Sequence, residues 1–257
     1  MHRFLMILLL LAAVISAAAC GSSGLADRMA AKKDTGACVA HADVDEVGYP
    51  SHVRLWAENT GSVEMVSWSW RTRDGEWHEA ALPDGVYWLE ITKPGTINAQ
   101  LRGIDANGNT CSSPIKIRSR NNYNAAPVVL FDGPQDFGEH ELMNGDGTIL
   151  RYHEWRWSTS RSYDPETAIA SEEWGIYGGG DLDGDGIPDV LIAGKTADGD
   201  EFSYDPGLIV KDAPEQQQFV LWVTPRFRES PTRMTVTATD TAGRKEKWGD
   251  GHVTLMK

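Results

Sequence analysis

The chain is short of positive charge, of cysteine and of long apolar runs. Lys and Arg total 24 against 37 Asp and Glu, a net charge of −13. That balance argues against nucleic acid as a partner and against docking on anionic lipid headgroups through a basic patch. It suits a soluble, monomeric surface protein that tolerates divalent cations. No HExxH, GxSxG, P-loop or Gly-rich dinucleotide motif occurs, so none of the common hydrolase or nucleotide-binding signatures is present. His140-Glu141 and His153-Glu154 are the nearest approach to acid–base pairs, and scattered histidines on strands and loops read as structural or solvated. No convincing helical periodicity follows residue 33. Short alternating or apolar runs are punctuated instead by Gly, Pro, Asn and Asp, the pattern of an all-β sandwich.

The single long apolar run is residues 4–19, uncharged and preceded by His2 and Arg3. A short basic start, an apolar core and small residues before a cut make a secretory signal rather than a retained span. Ala17-Ala18-Ala19-Cys20 resembles a bacterial lipobox, which implies that residues 1–19 are removed and Cys20 is acylated. Residues 20–34, with Gly21-Ser22-Ser23-Gly24, then form a flexible tether. Gly21 rather than Asp follows the cysteine. The resemblance thus implies a lipid-anchored cell-envelope protein, in the outer membrane if the host is Gram-negative. Cys38 and Cys111 remain, an even pair in an oxidising compartment, so one disulfide is expected.

The most specific motif is Asp181-Leu182-Asp183-Gly184-Asp185-Gly186-Ile187-Pro188-Asp189. Carboxylates at positions 1, 3, 5 and 9, with a backbone carbonyl at 7 and Gly at 6, suit a hard cation that takes six to eight oxygen ligands. An EF-hand would carry Glu at position 12, but Ile192 stands there. The flanking Trp174–Tyr177 and Val190–Gly194 read as strands. The loop resembles the calcium loops of FG-GAP and related β-propeller repeats, which implies Ca²⁺ held by Asp181, Asp183, Asp185 and Asp189 side chains and the Ile187 carbonyl. A single copy excludes a propeller. The alternative is a solvated acidic turn, since Asp and Gly are ordinary turn residues. Asn144–Gly147 reads as a turn, and Asp198, Asp200 and Glu201 as a polar hairpin tip.

Two segments look alike. One joins Met65-Val66-Ser67-Trp68-Ser69-Trp70 to Lys93-Pro94-Gly95 and the run that ends Gly103-Ile104-Asp105-Ala106-Asn107-Gly108. The other joins Tyr163-Asp164-Pro165-Glu166 and Ile169–Trp174 to Met234–Asp240 and Gly243. Both resemble the immunoglobulin-like PKD domain. The resemblance implies two tandem immunoglobulin-like (PKD-type) β-sandwiches, at 35–118 and 127–257, with 119–126 as linker. Trp70 and Trp174 are the expected core tryptophans, and alternation places Val66 and Trp68 on the same inward face as Trp70. Trp174 to Asp240 spans 66 residues where Trp70 to Asp105 spans 35, so the second copy carries a central insertion that includes the acidic loop.

Ten tryptophans exceed the needs of two small cores. Trp77, Trp88, Trp155 and Trp157 are candidate glycan contacts, because exposed aromatic faces hold sugar rings. Packing at strand junctions is the plainer alternative. The combined expectation is a non-catalytic, calcium-binding, membrane-anchored lipoprotein that acts as a protein-interaction or adhesion module. A glycan-binding module and a structural envelope protein with a purely stabilising ion are the alternatives.

Overall fold

The computed structural model describes residues 38–73, 75–213, 217–227 and 232–253, and describes the side chains of the last strand only as far as Lys247. The signal segment, Cys20 and the tether lie outside the described residues. Every described element is a strand, and no described helix is long and apolar enough to cross a membrane. The first eight strands are β1 Cys38–Ala42, β2 Glu46–Val47, β3 Ser51–Asn59, β4 Met65–Thr72, β5 His78–Ala80, β6 Tyr87–Ile91, β7 Gly95–Asp105 and β8 Thr110–Ser119. The next nine are β9 Asp132–Met143, β10 Ile149–Ser158, β11 Ile169–Gly178, β12 Val190–Lys195, β13 Glu201–Ser203, β14 Leu208–Lys211, β15 Gln218–Val223, β16 Thr232–Asp240 and β17 Lys245–Val253.

These strands form four sheets, ordered β1-β3-β6, β5-β4-β7-β8-β2, β9-β10-β15-β14 and β13-β12-β11-β16-β17. Each β-sandwich is built from one smaller and one larger sheet. The described residues group into two compact units. One holds the chain up to Ala42 with Leu55–Tyr87 and Asn98–Lys116; the other holds Asp43–Arg54, Trp88–Ile97 and the chain from Ile117 onward.

In the first unit the alternation of β4 buries Trp68 and Trp70 completely. Each indole N–H reaches the same connection: Trp68 donates to the Pro83 carbonyl at 3.2 Å and Trp70 to that of Gly85 at 2.6 Å. Buried indoles need such acceptors, since an unmade hydrogen bond costs about 1–3 kcal/mol. Gly85 is required by space as well as by its φ of +53°, because a Cβ there would lie 2.6 Å from that of Ala57 and 2.8 Å from Trp68. Cys38 and Cys111 are bonded, Cα to Cα 5.8 Å, and close a separation of 73 residues between β1 and β8. The expected disulfide is therefore present, and it links a strand of the small sheet to one of the large sheet.

One expectation fails within β4. Val66 is 51% exposed, and Met65 takes the buried position. The pairing with β7 runs Met65 to Asp105 and then Ser67 to Ile104, so a bulge sits at Val66. The extra residue of a bulge reverses the facing of whatever precedes it.

The second unit carries its own core: Trp157, Trp174, Ile176, Phe219, Leu221, Met234 and Val236 among others. Phe219 lies between two tryptophans, stacked on Trp174 at 5.5 Å and tilted on Trp157 at 5.9 Å. Segments 43–54 and 88–97 belong to this unit through the Tyr163–Glu166 turn. The Tyr163 hydroxyl accepts from the Arg54 N–H at 3.1 Å and donates to Asp43 at 3.2 Å. His52 N–H donates to the Pro165 carbonyl at 2.9 Å, and Gly48 N–H to Glu166 at 2.5 Å. Burial raises the pKa of both Tyr163 and Glu166, so Tyr163 stays a neutral donor.

Candidate functional site

The acidic loop joins β11 to β12, two strands whose inward residues Trp174, Ile176, Ile192 and Ala193 are core. Its base is closed by backbone: Asp189 N–H donates to the Gly180 carbonyl at 2.8 Å. Within it, Asp181 accepts the N–H groups of Gly184 (2.6 Å) and Gly186 (2.7 Å), one on each carboxylate oxygen. Asp189 accepts from Leu182 N–H at 3.0 Å, Asp183 from Asp185 N–H at 3.2 Å, and Asp185 from Ile187 N–H at 2.8 Å. Gly184 and Gly186 have φ of +85° and +86° with open space around them. Glycine is needed at both for backbone conformation, not for room. The Gly186 N–H bond, outweighing partial burial and helped by Gly184, holds the Asp181 carboxyl below the usual carboxylate range.

The result is a convergence of Asp181, Asp183 and Asp189, each offering a carboxylate oxygen within 4.8 Å of the others. Three carboxylate oxygens on one backbone-fixed turn could hold a metal ion. Of the five expected ligands, Asp185 is not part of this convergence. Its carboxylate bonds forward to Ile187 N–H and keeps the turn tight. Arg233 stands on the flank, 4.0 Å from Asp189, with its guanidinium 4.5 Å from the Tyr177 ring centre.

The other acidic turns hold themselves. In Asn144–Thr148, Asp146 accepts both the N–H and the hydroxyl of Thr148. At the β12–β13 tip, the Thr196 hydroxyl accepts from Asp200 N–H.

The four candidate tryptophans separate. Trp157 is 1% exposed and sits in the core. It is therefore not a glycan contact: strand alternation turns it inward toward Phe219. Trp155 is half-buried and packs against the same core. Trp77 is half-buried under two guanidinium groups, Arg71 at 4.6 Å and Arg102 at 4.3 Å from the ring centre. Only Trp88 of the four keeps a large exposed face, at 48%, with an edge-on contact to Tyr163.

His140 and Glu154, named in the sequence only as members of two separate His–Glu pairs, meet in a buried polar cluster on β10. Glu154 is 3% exposed. It accepts from the indole N–H of Trp222 at 2.8 Å and from Arg156, with His140 Nε2 at 3.0 Å. His140 stacks on Trp222 at 5.2 Å. Burial pushes the Glu154 carboxyl up, but the bonds from Arg156 and Trp222 and the charges of Arg156 and His140 outweigh it and hold it down. Glu154 and His153 point to opposite faces of the strand, so the adjacent His153 does not reach it; His153 pairs with Asp136 at 2.6 Å.

No protein-family model matches this chain, and no curated protein matches it. Among solved structures, it is similar to the fibronectin(III)-like modules of Clostridium thermocellum CbhA, at 10% identity and TM-score 0.29, covering 82% of this chain and 90% of that one. It is similar to carbohydrate-binding modules of the β-sandwich superfamily, at 12% identity and TM-score 0.30, over 83% and 100%. The tandem V-type regions of VCBP3, a chitin-binding protein, match at 9% and 0.30, over 82% and 97%. The fold rests on the strand pairing itself.

Proposed function

We propose that this chain is a non-catalytic, calcium-binding surface lipoprotein, anchored through Cys20 in the cell envelope (in the outer membrane if the host is Gram-negative) and acting as a protein-interaction or adhesion module. The observation that carries the reading is the convergence of Asp181, Asp183 and Asp189 on a loop between two core strands. Three carboxylates held this close repel one another unless a cation or water lies between them. A bound Ca²⁺ would supply the positive charge that offsets this repulsion. The chain's own contribution is to fix the oxygens in advance: Asp181 is oriented by two N–H groups, and the Gly180–Asp189 bond closes the base. The loop and the ends of β11 and β12 then form a rigid edge suited to a partner.

The test is a thermal melt in Ca²⁺ and in chelator, beside Asp183→Ala. A ligand that binds only the native state adds about 2.7 kcal/mol at a hundredfold excess over Kd. An upward shift lost in the variant supports the site. No shift leaves a solvated acidic turn. The link to binding is tested separately: partner affinity unchanged in calcium-free Asp183→Ala protein would reduce the ion to a stabiliser.

A glycan-binding reading is supported by the exposed face of Trp88. It predicts saturable quenching of tryptophan fluorescence by a polysaccharide, abolished in Trp88→Ala. Flat titrations across a broad glycan panel reject it.

A further inference from the structure

The outward face of the β5-β4-β7-β8 sheet in the first unit gathers positive charge that the chain as a whole lacks. On β4 the inward Trp68 and Trp70 leave Ser67, Ser69 and Arg71 on the other face, with Arg73 exposed just beyond the strand. Ser69 pairs with Arg102 on β7 and Arg71 with Gln100, so these partners share that face. Lys116 on β8 alternates with the buried Ile117 and is exposed. Glu79, opposite Ser69 on β5, is the one carboxylate at the described outward positions of these four strands. Arg71, Arg73, Arg102 and Lys116 each lie within ion-pair distance of no carboxylate among the described residues. Elsewhere Arg54, Arg156 and Arg161 are each paired with one.

Two of these guanidinium groups are held in place. Arg71 donates to the Gln100 side-chain oxygen, from Nε at 3.2 Å and from Nη2 at 2.8 Å. Arg102 Nε donates to the Ser69 hydroxyl at 3.4 Å. Both Cζ atoms stand by the Trp77 ring, at 4.6 and 4.3 Å from its centre, so they lie no farther apart than those two distances combined. The indole quadrupole attracts both cations. Trp77 thus serves as a spacer that fixes two charges side by side rather than as a bare platform. Both arginines are half-buried and still meet solvent. A guanidinium has five N–H donors; the side-chain bonds use two in Arg71 and one in Arg102.

The surroundings narrow the class of ligand. The free donors of a planar fork match the oxygens of a carboxylate. Ser67, Asn98 and Gln100 add neutral hydroxyl and amide groups to the same face, and such groups hydrogen-bond to sugar hydroxyls. The backbone of β4 is paired on both sides, with β5 and with β7. An acidic peptide therefore finds no free strand edge to extend beside these arginines.

We propose that this face is a binding site for an acidic polysaccharide, whose uronate carboxylates are received by Arg71 and Arg102. Arg73 and Lys116 add to the field that draws the polymer in. The site depends neither on the acidic loop nor on Trp88.

The test is calorimetric titration of the full chain with oligogalacturonate. Chelator is present throughout, so that no ion bridges the ligand to the acidic loop. The methyl-esterified oligomer, which keeps the sugars without the charge, and polyglutamate, which keeps the carboxylates without the sugars, are the controls. Saturable binding of the acidic oligomer is expected, at least about tenfold tighter than either control, and weaker as salt is raised. Arg102→Gln should weaken it about tenfold. Arg71→Gln is the second variant, and an unchanged β-sheet spectrum checks the fold of each. Arg102→Lys keeps the charge without the fork and should recover only part of the affinity. Lys245→Gln removes the same charge from the second unit and should change nothing, as should Trp88→Ala. No binding, equal binding of either control, an unchanged affinity in either arginine-to-glutamine variant, or an equal loss in Lys245→Gln or Trp88→Ala would overturn the proposal.

Discussion

In the first sandwich β4 ends at Thr72 and β5 begins at His78, whereas in the second the corresponding β11–β12 connection runs from Gly179 to Asp189. The surrounding strand orders correspond, β5-β4-β7-β8 against β12-β11-β16-β17 and β1-β3-β6 against β9-β10-β15. The second sandwich adds β13 and β14, one at the edge of each sheet. The two also differ in what holds sheet to sheet. The first has a disulfide from β1 to β8, and the second has Phe219 between Trp157 and Trp174. One strand order thus tolerates either closure. The copy without the covalent link is the one with the longer acidic loop.

The largest effects test that exchange of devices. Trp157→Ala should cost about 3–5 kcal/mol through the cavity it leaves. Replacing both Cys38 and Cys111 by Ala should cost about 4 kcal/mol, from the chain entropy of a loop this long. Amide exchange is the readout. Protection should fall in β11 and β16 for the tryptophan variant, and in β4 and β7 for the cysteine variant. Equal loss everywhere in both variants would dissolve the contrast.

The next effect in size is the ion. If calcium closes the long loop as the proposal requires, its stabilisation of about 2.7 kcal/mol at a hundredfold excess over Kd should appear as slowed exchange at Leu182, Gly184 and Gly186. Exchange at Gly75, Glu76 and Trp77, in the short β4–β5 turn, should not change. An equal response of the short turn would mean that the ion acts on the surface generally.

Much of this was legible in the chain. Trp68, Trp70 and Trp174 announced the core through alternation, and Cys38 with Cys111 announced the bridge through their even count in an oxidising compartment. The acidic loop declared itself because its ligand spacing is local. What escaped was set by long-range pairing. Trp157 is an inward residue on a strand whose neighbours Arg156 and Ser158 are polar, and only the pairing of β10 with β15 shows that its face meets Phe219. Glu154 takes its partners from β9 and β15. No spacing rule joins residues that only folding brings together.

A subtler effect should be visible in Glu172. Its folded pKa is raised, first by burial, so the fold favours the neutral acid. The stability this gives is complete below the ordinary glutamate pKa, about 4.3, and is lost as pH rises through the folded value. Glu172→Gln keeps an acceptor for the Thr159 hydroxyl and removes the ionisation. Its stability relative to the parent should therefore be lowest in acid and should climb toward neutral pH. Paired denaturant titrations across that range check this. A difference that stays flat would mean that the carboxyl titrates alike in both states. In the first sandwich Asp105 is shifted the other way: the Asn109 side chain, opposed by burial, holds its carboxyl down, so the stability it gives is lost as pH falls.

The smallest effect concerns the bulge. Strict alternation puts Val66 beside Trp68 and Trp70 in the core, where Val→Thr would bury an unpartnered hydroxyl at a cost of about 1–3 kcal/mol. The bulge opposite Asp105 and Ile104 turns it outward, and half of it meets water. Val66→Thr should then change stability by no more than about 0.5 kcal/mol, as for an ordinary surface position. Met65→Thr, one residue earlier and 6% exposed, should carry the core penalty instead. Chemical denaturation of the two variants side by side reads the register of β4 directly. A costly Val66→Thr with a harmless Met65→Thr would place the bulge elsewhere and restore the uninterrupted alternation in β4.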